Sequence, residues 1–305
     1  MSCNYTTTTH AKWILAGEHA VLRGHGALVF PMTSHQITLK YISQPHELDA
    51  EFTGSYGPEM HLLFWSVLQE GCQLIGQSFN QLHGHFDINN TIPIGVGMGA
   101  SAALCVATAR WFSSQNLIKT DEINEFAKSL EHLFHGKSSG LDIAGVASEV
   151  GIYFQQGQTK TIHQTWQPHW YLSSCGQIGV TAHCIAQVKS YWDANPAKAY
   201  ETDQLMNNAV NKAIKALEEN NEGSLSLLSE AISNARQCFE QWSLISENLS
   251  HHIQQLEDYG AIAVKPTGSG GGGFVLSLWP NAIETTGNKF PFEMIPLSHG
   301  SILTR

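Results

Sequence analysis

Hydrophobic and polar positions alternate through the first third of the chain in a way that predicts short strands and few helices. Strands are predicted near residues 12–15, 27–30, 36–42, 48–52 and 83–88, with a helix over 59–75. A small and apolar run over 102–112 predicts a buried helix. Beyond Asp121, apolar residues at helical spacing predict an amphipathic helix with this aspartate at its start.

The second half of the chain is richer in helical patterns. A helix is predicted from about Leu141, and helices are also predicted over 197–220, 224–242 and 245–259. Strands are predicted over 151–154, 178–188, 261–264 and 274–279. Because strands and helices mix without strict alternation, the pattern predicts an α+β fold.

Length and charge narrow the classes of function. A chain of 305 residues favours two domains of ordinary size. Its 16 Lys and Arg against 26 Asp and Glu leave a net charge of −10, which argues against nucleic acid and membrane partners. Six cysteines without a C-x-x-C pair favour reduced thiols, and we therefore expect a cytoplasmic protein. A homodimer is a further expectation.

The segment 93–103 combines alternating glycines with the start of the buried helix. Such glycines let backbone N–H groups approach a ligand, and the helix directs its unpaired N–H groups and positive dipole end to the same place. The pattern therefore predicts an anion site, most often for phosphate, with the Ser101 hydroxyl nearby. A tight turn into a buried helix is the alternative.

Neither of two better-known phosphate loops fits this segment. A dinucleotide fingerprint needs a strand running into the first glycine and an acid about 20 residues on, but Pro93 precedes the glycines and residues 108–120 contain no acid. A Walker loop ending at 136–138 lacks its first glycine, since Glu131 stands there.

Three other parts of the chain carry candidate chemistry: the strand that contains Lys12, the pair Glu131 and Asp142, and the segment 265–273. Lys12 lies in an apolar strand that ends in Gly-Glu-His at 17–19, so it must either reach water or meet an anion. Glu131 falls at the edge of the apolar face of its helix. It would therefore either form an ion pair at the boundary of that face or bind a cation such as Mg²⁺. Asp142 lies in a first helical turn, where the dipole alone favours an acid.

The third segment, at 265–273, holds five glycines in its last six positions. So many glycines cost conformational entropy in a simple hairpin, and we expect this loop to pack closely against phosphates or against the first glycine loop. A flexible hairpin connection is the alternative.

Taken together, the motifs resemble the GHMP kinase superfamily, and within it most closely the mevalonate kinases. The resemblance extends from Lys12 to Gly273 in the order typical of the family: the lysine strand with Gly-Glu-His, a P-x-x-x-G-L-G-S-S-A loop at 93–102, H-G-x-P-S-G-x-D at 135–142 and K-x-T-G-x-G-G-G-G at 265–273. It implies a ribosomal-protein-S5-like N-terminal domain over 1–180 and a ferredoxin-like C-terminal domain over 181–305. The implied activity is ATP-dependent phosphorylation of the primary hydroxyl of mevalonate.

Each site role follows from this resemblance. Asp142 would accept the proton of the substrate hydroxyl, and Lys12 would pair with that carboxylate and stabilise transferred charge. Mg²⁺ on ATP would be held by Ser101 and Glu131. The implied nucleotide-binding residues are Gly95, Gly97, Met98, Gly99, Ala100, Ser101 and Ala102. The acceptor would be bound by Glu18, His19 and Thr267, and the phosphate loop supported by Gly268, Gly270 and Gly271.

Several departures from the family pattern leave alternatives open. Met98 and Ala100 replace a Leu and a Ser of the phosphate loop, Ser138 replaces a Pro, and Ile143 replaces the usual Asn or Ala. Phosphomevalonate kinase is the nearest competing function. A non-catalytic regulator that binds ATP or a metabolite is a competitor of another class, and a dinucleotide-dependent oxidoreductase is a weaker one.

Overall fold

The structure is a computed structural model that describes residues 4–135, 138–285 and 289–297. By their contacts these residues form two compact units. The division between the units falls between residues 12 and 13 and between residues 30 and 31, within the first two strands. The first unit holds residues 4–12, 31–94, 98–135 and 138–149, and the second holds 13–30, 95–97, 150–285 and 289–297.

Strands and helices are mixed along the chain. The strands are β1 (Tyr5–Ala16), β2 (Ala27–Glu47), β3 (Asp49–Thr53), β4 (His83–Asn90), β5 (Ile152–Gln155), β6 (Gln158–Thr161), β7 (His169–Ser174), β8 (Ala263–Pro266), β9 (Phe274–Trp279) and β10 (Ile295–Pro296). The α-helices are α1 (Gly57–Leu74), α2 (Ala100–Ser114), α3 (Ile123–His135), α4 (Leu141–Ala147), α5 (Thr181–Ala194), α6 (Pro196–Glu218), α7 (Ser224–Gln241) and α8 (Glu247–Asp258). In the described residues, none of the helices has the length and apolar composition needed to cross a bilayer.

The first unit is a sheet covered by helices around an aromatic core. Strand β4 pairs antiparallel with the later part of β2 and parallel with β3. Helix α2 packs against α1, α3 and α4, and nearly all its side chains are buried because its residues are small or apolar. The rings of Phe86 and Trp111 lie 5.0 Å apart between sheet and helix. Helix α2 is thus held in the core of the unit, and its N-terminus lies at the end of the glycine loop.

The second unit is built on an antiparallel sheet in the order β10-β7-β9-β8. Helices α6 and α7 pack on each other, and α8 packs on β8 and β9. Strand β5 pairs with Ala27–Val29 of β2 and with β6. The closing glycine segment connects β8 to β9, so the sheet holds both ends of that loop.

Most predicted elements are present, one strand was wrong, and Asp121 does not cap its helix: it lies in a 3-10 turn (Thr120–Glu122) whose N-cap is Lys119, and α3 begins at Ile123. In the predicted strand over 178–188, residues 181–188 instead belong to helix α5, because Cys184 and Val188, four residues apart, share its buried face. The two strands predicted over 27–30 and 36–42 form one continuous strand, β2. Strands β6 and β7 were not predicted; every residue of β6 is exposed, so it carries no apolar alternation. The domain boundary near residue 180 stays a prediction.

Candidate active site

The first site group lies in the first unit, around Lys12. This lysine is 1% exposed, near the middle of β1, and its Nζ lies 2.9 Å from Oδ1 of Asp142. Asp142 stands in the first turn of α4, which begins after Gly140 in the left-handed region (φ 84°). The Asp142 side chain is one-third exposed. Lys12 therefore meets an anion, as one interpretation of the sequence required, and the paired carboxylate stays open to solvent.

Glu131 joins this group from α3 and is 1% exposed. Burial, followed by the nearby charge of Asp142, raises the pKa of Glu131 to about 7, while a hydrogen bond from Ser138 and the charge of Lys12 act in the opposite sense. Ser138 donates that bond to Oε2. The other oxygen, Oε1, is buried and has no hydrogen-bond partner among the residues that the structure describes.

An unsatisfied buried carboxylate oxygen is the feature of this group that fits a divalent cation. Mg²⁺ takes oxygen ligands and commonly binds one or two carboxylates together with substrate phosphates. In the described residues, no group of three or more His, Cys, Asp and Glu is arranged to hold a metal, so such an ion needs further ligands of another kind. Hydroxyl, water and phosphate oxygens are the candidates.

Ser101 lies in the first turn of α2, one helical turn before Cys105 and therefore on the same face. Burial and, second, the charge of Glu131 raise the pKa of the Cys105 thiol. The face of α2 that carries Ser101 and Cys105 is thus the one influenced by Glu131. The role of Ser101 in holding a cation stays a prediction.

The glycine loop leads directly into α2. Gly95, Gly97 and Gly99 all have positive φ values, between 78° and 83°. Gly99 is the residue before the helix and has no side chain to satisfy its first N–H groups. A Cβ at Gly99 would lie 2.9 Å from Cγ of Lys12, so only glycine fits there. The backbone N–H of Lys12 donates to the Met98 carbonyl at 3.0 Å, which fixes the loop on β1.

The second site group lies in the second unit, around Glu18. Its Oε1 lies 2.5 Å from Nζ of Lys265, and both side chains are at least 98% buried. Lys265 Nζ also donates to the Ile14 carbonyl at 3.4 Å. The Thr267 hydroxyl both donates to the Ile14 carbonyl and accepts from the Ile14 N–H, at 2.9 Å each. Glu18 is therefore a buried, paired carboxylate and not part of an exposed charged turn.

His19 adopts a left-handed backbone (φ 58°) and is buried. Its Nε2 lies 2.8 Å from the Ser269 carbonyl oxygen, and its ring contacts the edge of Trp242. Burial lowers the pKa of His19 to about 4, so the imidazole is neutral near pH 7. A neutral ring that donates to Ser269 through Nε2 presents Nδ1 as an acceptor.

Helix α6 contacts the start of the Gly-Glu-His turn and the end of the short 3-10 helix (Ala20–Arg23) that follows the turn. The Gly17 N–H lies 3.1 Å from Sδ of Met206. Arg23 makes two hydrogen bonds to the buried Asp203 carboxylate, of which Nη2 to Oδ1 measures 2.6 Å. Asp203 and Met206 are one turn apart on the helix, so a single face of α6 sets the position of the turn.

The closing glycine loop packs on residues 95–97 of the first loop. A Cβ at Gly268 would lie 3.2 Å from Cα of Gly97, and one at Gly273 would lie 2.7 Å from the Val96 carbonyl oxygen. Gly271 N–H donates to the Leu244 carbonyl at 2.8 Å, and the Gly270 carbonyl accepts from Cys184 Sγ at 3.3 Å. The expected close packing of the two loops is present.

The structure thus brings the predicted residues into two groups, one in each unit, and their roles stay predictions. Sequence reasoning did not predict Ser138 as a partner of Glu131, Lys265 as a partner of Glu18, or the pairing of Arg23 with Asp203. Only Lys265 carried a usable signal, because it is a lysine in an apolar strand, as Lys12 is. Ser138 stood out only as a departure from the family motif, and Arg23 and Asp203 are polar residues without a local pattern.

Comparison with known proteins gives the family. The model of the GHMP kinases N terminal domain matches residues 63–150, and that of the GHMP kinases C terminal domain matches 213–286, together more than half of the chain. A mevalonate kinase of Pyrococcus abyssi is 27% identical over 296 residues, covering 88% of this chain and 87% of that protein.

Two solved structures show the same fold. The mevalonate kinase of L. major in complex with R-mevalonate superposes with a TM-score of 0.76 at 21% identity, over 92% of this chain and 88% of that one. The phosphomevalonate kinase of Streptococcus pneumoniae gives 0.69 at 17% identity, over 92% of both. The predicted α+β, two-domain GHMP kinase fold is confirmed. The chain belongs to the GHMP kinases and is an ATP-dependent phosphotransferase that acts on an alcohol.

Proposed function

We propose that this kinase transfers the γ-phosphoryl group of ATP to the primary hydroxyl of mevalonate, with Mg²⁺ as the metal. The observation that carries phosphoryl transfer is the buried Lys12 ammonium, which lies 2.9 Å from the one-third exposed Asp142 carboxylate. Phosphoryl transfer asks mainly for positioning and for neutralisation of developing charge, and this pair offers a proton acceptor beside a fixed cation.

In this proposal each residue has one task. Asp142 accepts the proton of the attacking hydroxyl, and Lys12 stabilises negative charge on the transferred group. The N–H groups at the start of α2 bind nucleotide phosphates. Glu131 Oε1 and the Ser101 hydroxyl hold Mg²⁺, which supplies charge neutralisation at the phosphates when bound. Glu18, His19 and Thr267 form the acceptor side.

The choice of mevalonate over phosphomevalonate is supported by two observations. The relative from Pyrococcus abyssi carries the name mevalonate kinase. In addition, Arg23 and Lys265, the cations beside the Gly-Glu-His turn, are already paired with Asp203 and Glu18. A phosphorylated acceptor would require cations that are not neutralised by buried carboxylates. The homodimer and the cytoplasmic location remain expectations.

The test is ADP release from MgATP with mevalonate, phosphomevalonate, homoserine and galactose as acceptors. We expect saturable turnover with mevalonate alone, and formation of the phosphorylated alcohol by ³¹P NMR. Turnover with phosphomevalonate and not with mevalonate would contradict the substrate. Nucleotide binding without turnover on any acceptor would support the regulator instead.

A further inference from the structure

The Ser138 hydroxyl connects the two helices that carry the candidate carboxylates. It donates to Oε2 of Glu131, near the end of α3, and accepts from the Gly140 N–H at 3.0 Å, directly before α4. The hydroxyl therefore donates one hydrogen bond and accepts another. The bridge joins the chain segment that positions Asp142 to the side chain of Glu131.

This bridge leaves the two oxygens of Glu131 in different states. Oε2 is held by Ser138, whereas Oε1 is buried and lacks a hydrogen-bond partner among the described residues. Leaving a buried carboxylate oxygen unsatisfied is costly, and a cation would relieve that cost. Because the hydroxyl fixes the rotation of the carboxylate, it also fixes the direction in which Oε1 is presented.

The geometry points to Ser138 as a positioning residue for a metal ligand: by holding Oε2 it orients Oε1 of Glu131 toward the divalent cation of the nucleotide. This inference rests on the proposed metal role of Glu131. It concerns a position where the resembled family motif has proline, which has no hydroxyl and no N–H to offer. Outer partners of this kind typically change metal affinity about 10- to 100-fold when they are removed.

The test measures binding of Mn²⁺, as a paramagnetic substitute for Mg²⁺, by electron paramagnetic resonance in the presence of saturating ADP. We expect Ser138→Ala to weaken Mn²⁺ binding about 10-fold or more, and Ser138→Thr to restore it because the hydroxyl returns. Metal-free ADP binding is expected to stay unchanged in both variants, since the hydroxyl acts on Glu131.

Ser139→Ala is the matched control. Ser139 makes the same kind of turn contact, from the Leu141 N–H to its Oγ at 3.2 Å, and the bond to Glu131 comes from Ser138. Wild-type Mn²⁺ affinity in Ser138→Ala, or equal weakening in Ser139→Ala, would overturn the inference. If Ser138→Ala does not fold, Ser138→Val can be compared with Ser138→Thr, because these two side chains have nearly the same shape and differ in the hydroxyl.

Failure of the underlying metal role would show differently. Glu131→Gln is expected to weaken Mn²⁺ binding at least as much as Ser138→Ala. Unchanged binding in Glu131→Gln would remove the metal role itself, whereas weakened binding in Glu131→Gln together with normal binding in Ser138→Ala would remove only the role of Ser138. The readout is independent of which alcohol is the acceptor.

Discussion

At the residue scale, both groups of candidate site residues contain a lysine whose ammonium group is buried. Lys12 and Lys265 are both at most 1% exposed, and each meets a carboxylate: Asp142 in the first unit and Glu18 in the second. Burial of a lysine is tolerated only when its charge is paired and hydrogen-bonded. The two pairs differ at the carboxylate, because Asp142 is open to solvent and Glu18 is not. Of these two pairs, the first is therefore the one that we propose exchanges a proton with the substrate.

Asp142→Asn tests this difference. An amide cannot accept the hydroxyl proton, so we expect kcat to fall about 10²- to 10⁴-fold while MgATP binding changes little. Steady-state kinetics and nucleotide titration would measure the two effects separately. The matched control is Asp87→Asn, which alters the exposed pair between Lys40 on β2 and Asp87 on β4 and is expected to keep wild-type turnover. Near-normal kcat in Asp142→Asn would exclude this residue as the base.

At the scale of elements, helix α6 acts as the support of the Gly-Glu-His turn. The turn itself is short, begins with a glycine at φ 105° and continues with His19 in a left-handed conformation. Such a backbone persists only where its surroundings hold it. Met206 at Gly17 and Asp203 at Arg23 provide that hold from one face of α6.

Arg23→Gln tests the support. The substitution leaves the Asp203 carboxylate buried without its cation, and we expect a loss of about 3 kcal/mol in the free energy of unfolding, measured in urea. We also expect the KM for the acceptor to rise more than the KM for ATP, because the turn carries Glu18 and His19.

The matched control for that variant is Arg236→Gln. Arg236 pairs with Glu240 and Glu257 on the helices α7 and α8, where both carboxylates are partly exposed, so its loss is expected to cost at most about 1 kcal/mol. Equal urea midpoints for the two variants would contradict a supporting role of the Arg23–Asp203 pair.

At the scale of the whole molecule, a buried histidine couples stability to pH. His252 on α8 is 4% exposed, and its Nε2 lies 2.8 Å from the Ser173 hydroxyl on β7. Burial, with a smaller effect of His251, lowers the pKa of His252 to about 4 from an ordinary value of 6.5. Between these pH values the unfolded chain binds the proton and the folded one does not, so stability falls as pH decreases from 6.5 toward 4.

His252→Gln should reduce that dependence. One proton accounts for at most about 1.4 kcal/mol per pH unit, and we expect the variant to lose less stability than the wild type between pH 6.5 and pH 4.5 in urea unfolding. The pKa of His19 is also lowered, so this residue will leave part of the dependence of stability on pH in the variant. Identical slopes for variant and wild type would show that His252 is not protonated on unfolding.

Helices and strands were predicted correctly where the spacing of apolar residues along the chain matches the buried face of the element, and incorrectly where it does not. Helices α6 and α7 were predicted because their apolar residues recur at helical spacing over several turns, and α2 because its residues form an uninterrupted small and apolar run. Helix α5 was mistaken for a strand because it buries few apolar side chains, and its β-branched residues resemble a strand pattern over a short window. Periodicity is weak evidence for an element with little buried surface.

The sequence by itself determined the local requirements of the site. The glycines of both loops and the lysine in the first strand are recognisable from residue type, since positive φ values and buried charges restrict which residues can stand there. Only the tertiary structure decided which groups meet. Glu18 pairs with Lys265 across 247 positions and Arg23 with Asp203 across 180, because partners of buried charges are chosen by packing of distant elements, and periodicity along the chain carries no information about them.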